Sequence, residues 1–136
     1  MLTLPPSVKI YLFAAPTDMR KGHDGLSALV VNELGADLYS GHLFVFVSRR
    51  GDRVKILAWD RGGLALWYKR LEKGRFRLPR ISEGSKSVQM DSGELSMLLE
   101  GIDYSRVRRP KRWEPPPRKA AQQENAPRSD HAVISV

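Results

Sequence analysis

The chain has 136 residues, 23 Lys and Arg against 15 Asp and Glu, and no cysteine. That length suits one compact domain of roughly 100–150 residues, which argues against a multidomain enzyme or a barrel of eight βα units. The missing cysteines exclude disulfides, Cys-ligated zinc, iron–sulfur clusters and thiol catalysis. No apolar run approaches the roughly 18 residues of a membrane span. The opening Met1-Leu-Thr-Leu-Pro-Pro lacks the basic-then-apolar order of a secretory signal. A cytoplasmic protein with no membrane partner is expected.

The net charge of +8 points to polyanions, and it is unevenly placed. Residues 49–80 hold eleven basic and three acidic side chains, or +8. Residues 106–136 hold eight and three, or +5, and the remainder four and nine, or −5. The last segment also carries five of the nine prolines and no glycine. It is too proline-rich for a helix and too charged to bury. The expected organisation is therefore a domain over 1–105 and a disordered basic tail over 106–136.

In chain order, Val8, Ile10 and Leu12 alternate with Lys9, Tyr11 and Phe13, which predicts a strand. A helix follows, capped by Thr17 or Asp18, with Leu26, Leu29, Val30 and Leu34 on one stripe and Gly35 as its stop. The run 42–48 is β-branched and aromatic, Arg49-Arg-Gly-Asp-Arg reads as a turn, and Val54–Trp59 returns as a second strand. The stretch 64–71 fits either a strand or a helix face, and the alternation of Leu64, Leu66 and Tyr68 favours a strand. Residues 72–78 resemble a glycine-containing turn with a short return strand. Asp91-Ser-Gly-Glu is a capping box before a helical face of Leu95, Leu98, Leu99 and Ile102. The expected fold class is α+β: a single small antiparallel sheet with two helices on one face, the other face free to meet a partner.

Four ordered segments also carry a resemblance. They are Asp18-Met-Arg-Lys-Gly-His-Asp-Gly-Leu, Asp52-Arg-Val-Lys-Ile-Leu-Ala-Trp-Asp, Leu66-Trp-Tyr-Lys-Arg-Leu-Glu-Lys-Gly-Arg-Phe and Leu98-Leu-Glu-Gly-Ile-Asp. Residues 5–105 resemble the small accessory protein, the second reading frame called TnpB, of IS66-family insertion sequences. His23 departs from the aromatic expected there. The resemblance implies a protein that assists a separate transposase, and it carries over no catalytic residue.

Among the residues themselves, the basic stretch is the strongest signal. Arg49, Arg50, Arg53, Lys73 and Arg75 lie near two turns, and Lys55, Lys69, Arg70 and Arg77 lie along the predicted strands. Such side chains track phosphates, which supply affinity with little sequence information. Trp67, with Tyr68 beside it, is placed to stack on unpaired bases. Lys69 and Arg70 point to opposite faces of a strand, so the whole set cannot engage one duplex. The competing reading is a solvated basic surface with these aromatics partly in the core.

Catalysis finds no support. Asp18 and Asp91 are accounted for as helix caps, Asp24 by a first helical turn and Asp60 by turn chemistry before Gly62-Gly63. His23, His42 and His131 stand apart without metal spacing. No nucleotide-binding glycine motif occurs, so neither metal nor cofactor is expected. The expected function is a non-enzymatic accessory role in DNA transposition, with DNA and the element's transposase as partners. An adaptor that touches only the transposase remains open, and a metal-dependent nuclease using Asp24 or Asp60 stands as a remote alternative. Oligomeric state is not legible.

Overall fold

The computed structural model describes Pro5 and residues 7–101. The expected tail, the position of Ile102 and most of the first six residues lie outside the described residues. Seven regular elements follow in order: β1 (Ile10–Phe13), α1 (His23–Ala28), β2 (Leu43–Val47), β3 (Arg53–Asp60), β4 (Gly63–Arg70), β5 (Ser87–Met90) and α2 (Ser92–Leu99). The strands form one sheet in the order β4-β3-β2-β1-β5. The α+β class stands, and the sheet is mostly antiparallel.

The exception is β1 against β2, which pair in parallel with Ile10 opposite Leu43 and Leu12 opposite Val45. A parallel pair cannot be joined by a tight hairpin, so the chain between them must cross over. It does so through α1 and the turn that continues it, whose Leu26 and Val30 pack with Phe44, Phe46 and Leu57. The helix is shorter than expected. After Ala28 it widens into a π-turn over Leu29–Glu33, with the Leu34 N–H donating to the Leu29 carbonyl, and Gly35 ends it at φ +60°. Its N-cap is Gly22, without a side-chain cap. Asp18 instead accepts from the Arg20 N–H, closing a turn ahead of the helix.

The alternating side chains of β1, β2 and β3 sort into two cores. Ile10, Leu12, Leu43, Val45, Val47, Val54 and Ile56 face α2, where they meet Leu95, Leu98 and Leu99. Phe44, Phe46 and Leu57 face α1, with Tyr11 and Phe13 packed alongside. The two helices therefore cover opposite faces, and the expectation of one free face is corrected. Strands buried on both sides read as near-continuous apolar runs, and β2 (Leu-Phe-Val-Phe-Val) is buried at every position.

The β2–β3 hairpin and the strand β4 are as expected. Arg61 and Gly62, at φ +44° and +86°, close the β3–β4 turn with two left-handed residues, which suits the twist of a two-residue hairpin. Residues 72–78 form no strand. They run irregularly beside the β2–β3 turn, with the Leu71 and Phe76 N–H groups donating to the Asp52 and Gly51 carbonyls, and Phe76 buried among the α2-side residues. The sheet's far edge is β5, which pairs antiparallel with β1.

The capping box forms: the Asp91 carboxylate accepts from the Glu94 N–H at 2.7 Å, and Glu94 accepts from the Asp91 N–H at 3.1 Å. Asp91→Ala should lower stability by about 1 kcal/mol. Urea unfolding checks this, with a shifted midpoint and an unchanged slope expected.

Candidate nucleic-acid interface

The basic residues sit at one end of the sheet, where β2 turns into β3. Gly51, at φ +78°, lets the chain reverse between Arg50 and Asp52, and its N–H donates to the Ser48 carbonyl. A Cβ built on Gly51 would lie 3.5 Å from the Arg75 Cβ, so the segment after β4 brings Arg75 against the same turn. Facing the turn is the loop 15–21, pinned by the Thr17 N–H donating to the Val47 carbonyl. Between loop and turn lies a notch of about 350 Å³ lined by Thr17, Asp18, Met19, Arg20, Ser48, Arg49, Arg50, Asp52 and Arg53.

Both carboxylates of this notch are engaged locally. Asp18 takes three contacts from the Arg20 guanidinium, the shortest 2.7 Å, and one from the Arg20 N–H. These hydrogen bonds, first the side chain's and then the backbone's, hold the Asp18 carboxyl down at about 2 and raise Arg20. Asp52 accepts from the Ser48 hydroxyl at 3.3 Å. Arg49, Arg50 and Arg53 have no ion pair among the described residues. The Arg53 Nε is moreover buried without a hydrogen-bond partner.

Register places a further arginine beside it. Arg53 on β3 pairs directly with Arg70 on β4, so the two side chains share the α1 face. Like charges directly opposite each other across a ladder destabilise the pair. Neither arginine has a carboxylate partner among the described residues. An anion between or beside them would supply the missing counter-charge.

Two of the expected contacts are instead committed inside the fold. Lys55 is only 8% exposed. Its nitrogen donates to the Met19 and Lys21 carbonyls at 2.8 Å each and lies 4.9 Å from the Tyr68 ring centroid. A buried cation has to find such partners to offset its desolvation. Lys69 reaches the other way and donates to the Leu99 carbonyl at 2.7 Å, a favourable position for a cation at the C-terminus of α2. Lys73 and Arg77 are exposed on the irregular segment after β4.

Trp67 and Tyr68 separate by face. Trp67 pairs with Ile56 on the α2 side, and Tyr68 pairs with Lys55 on the α1 side, next to Arg70. Both rings are exposed, by 43% and 48%. The aromatic beside the unpaired arginines is therefore Tyr68, with Trp67 behind the sheet. Strand parity in 63–70 separates the two residues, but only the β3–β4 register shows which one faces the arginines. Among the described residues, no group of three His, Asp or Glu is placed to hold a metal ion, and no helix is long and apolar enough to cross a membrane.

Residues 8–109 match the model of the family described as IS66 Orf2 like protein. The chain belongs to this family. It is thus a transposition-associated accessory protein of an insertion sequence, as the four sequence segments imply. Two proteins of Sinorhizobium fredii (strain NBRC 101917 / NGR234) are similar to it. The one named Uncharacterized protein y4jC is 40% identical over 102 residues, covering 75% of this chain and 86% of its own. The one named Uncharacterized protein y4hO is 36% identical over 104 residues, covering 76% and 89%. No solved structure matches the chain.

Two measurements probe this geometry. Lys55→Met should leave the Met19 and Lys21 carbonyls without their donor and cost about 1–3 kcal/mol, with faster amide exchange in the loop that Lys55 holds. The Asp18 carboxyl should titrate with a midpoint near 2 when followed by NMR. Its pKa is depressed on folding. The stabilising contribution is therefore full above the ordinary carboxylate value and is lost as pH falls through about 2.

Proposed function

We propose that this IS66 Orf2-like protein contributes to transposition by gripping the sugar–phosphate backbone of DNA at the end of its sheet. Arg49, Arg50, Arg53 and Arg70 form the centre of the grip, and Arg75 flanks it. The observation that carries this reading is the Arg53–Arg70 cross-strand pair, two cations on one face with no carboxylate between them. A surface that needed only solubility has no reason to place like charges directly opposite each other with no ion-pair partner for either among the described residues. The guanidinium is also suited to phosphate, since its planar fork donates to two oxygens at once.

Lys73 and Arg77 extend the field around this centre and steer approach more than they fix geometry. Lys55 and Lys69 lie beside this centre with their donors occupied by carbonyls. The expected binding is strongly electrostatic and weakly sequence-selective, because phosphate contacts position a protein without reading bases. Within the element's machinery, such a protein would hold DNA near the transposase, which supplies the chemistry.

The test is the salt dependence of binding to duplex carrying the element's end sequence. The observed affinity should fall linearly in a log–log plot, with a slope of about −0.9 per phosphate neutralised. Arg49 and Arg50 are exposed, so the double variant Arg49→Gln/Arg50→Gln should melt as the parent does. Its slope should be shallower by about two. An unchanged slope would place the DNA contact elsewhere. An absence of any DNA binding, with co-purification of the transposase at moderate salt, would favour a protein adaptor instead.

A further inference from the structure

Arg53, which lines the notch between the β2–β3 turn and the loop 15–21, shares the α1 face of β3 with Lys55. Lys55 joins that loop from β3. On the same side, β4 presents Arg70 opposite Arg53 and Tyr68 opposite Lys55. Residues two apart on a strand lie about 6.5–7 Å from each other on one face. A ring thus stands one step along β4 from Arg70 and diagonally across from Arg53.

This ring is held in place. The Lys55 nitrogen lies over it, 4.9 Å from the centroid, and Lys55 is itself fixed by two carbonyls. With the buried Lys55 cation over one face of the ring, Tyr68 as a residue is still 48% exposed. An aromatic held rigid on one side and open on the other is a stacking platform, and it costs little side-chain freedom when used. A duplex has no base to place on it, because its bases are already stacked on one another. An unpaired base beside a gripped phosphate does.

Resting on the phosphate-binding reading above, the geometry points to single-stranded DNA as the preferred form of ligand: a backbone phosphate at Arg53 and Arg70, and the neighbouring unpaired base on the open face of Tyr68. Stacking of this kind is sequence-tolerant, since every base has a π-face. Trp67, on the opposite face, takes no part. Strands are unpaired where DNA is being cut and joined, which gives an accessory protein of a transposing element a specific place to act.

The full-length chain would be titrated against a labelled oligothymidylate and a duplex of the same length, with anisotropy as the readout. Tyr68→Leu, which retains an apolar cover for Lys55, should weaken single-strand binding by roughly 5- to 100-fold and leave duplex binding unchanged. Tyr68→Phe should retain the parent affinity for both, and so should Trp67→Ala. Equal loss on both ligands would mean that Tyr68 only props the notch, and would overturn the inference. So would undiminished single-strand binding by Tyr68→Leu. If the parent binds neither form, the phosphate-binding reading itself fails, and the single-strand preference falls with it.

Discussion

The basic end of this domain depends on one buried cation. Lys55 sits in the middle of β3 at a position where its pairing partner on β2 is the fully buried Phe46. A lysine in such a place destabilises a fold unless all three of its donors find partners. Two of them find the Met19 and Lys21 carbonyls, and the Tyr68 ring lies over the nitrogen as well. The loop before α1 is thereby drawn against the sheet, one wall of the notch is set, and an aromatic ring is oriented beside the arginines. The side chain that contacts no ligand in this scheme is the one that arranges those that do.

Covering both faces of the sheet has a functional consequence. With α1 packed on Phe44 and Phe46 and α2 packed on the opposite side of β2, the central strands offer no open surface. Among the described residues, the β2–β3 end and the two outer strands, β4 and β5, remain open, and β4 is the one that carries the basic residues. A long exposed edge strand invites unwanted pairing, and charged residues on it are a common defence. Lys69 and Arg70 stand on that edge. The charge that protects the edge and the charge that serves the notch are therefore partly the same.

Much of this was legible in the sequence. The alternation in 8–13, the turn at 49–53, the returning strand and the Asp91 capping box all express local rules, and each appears in the structure. Other features depend on partners distant along the chain. Ser-Val-Gln-Met of β5 is too short and too mixed to announce a strand, and it exists because β1 has an open edge for it. The segment 72–78 looks like a hairpin return. Instead the Phe76 N–H donates to the β2–β3 turn, and the Phe76 ring is drawn into the core. Asp18 has the chemistry of a helix cap, but Arg20 two residues on offers it a fork of donors, and the helix begins later, at His23 after its Gly22 N-cap. The side of the sheet that each helix takes could not be read from periodicity, which gives a stripe but not its direction.

The same distinction governs the charge. A count of +8 over 49–80 treats eleven cations as equivalent, yet they divide by what their donors already hold. Lys55 and Lys69 are bonded to backbone carbonyls and contribute only to the long-range field, whereas Arg49, Arg50, Arg53 and Arg70 have no acidic partner among the described residues. Of the two acids at the notch, Asp18 is paired with Arg20, and Asp52 accepts from the neutral Ser48 hydroxyl and forms no ion pair with these arginines. A group of guanidiniums without ion pairs among the described residues leaves an excess of positive charge at this end of the sheet. That excess lies on the exposed ends of the guanidiniums, since the Arg53 Nε is itself buried. An anion with several acceptor oxygens, approaching along the notch, is the simplest partner for the exposed part of that cluster, and the backbone of DNA carries one at every nucleotide.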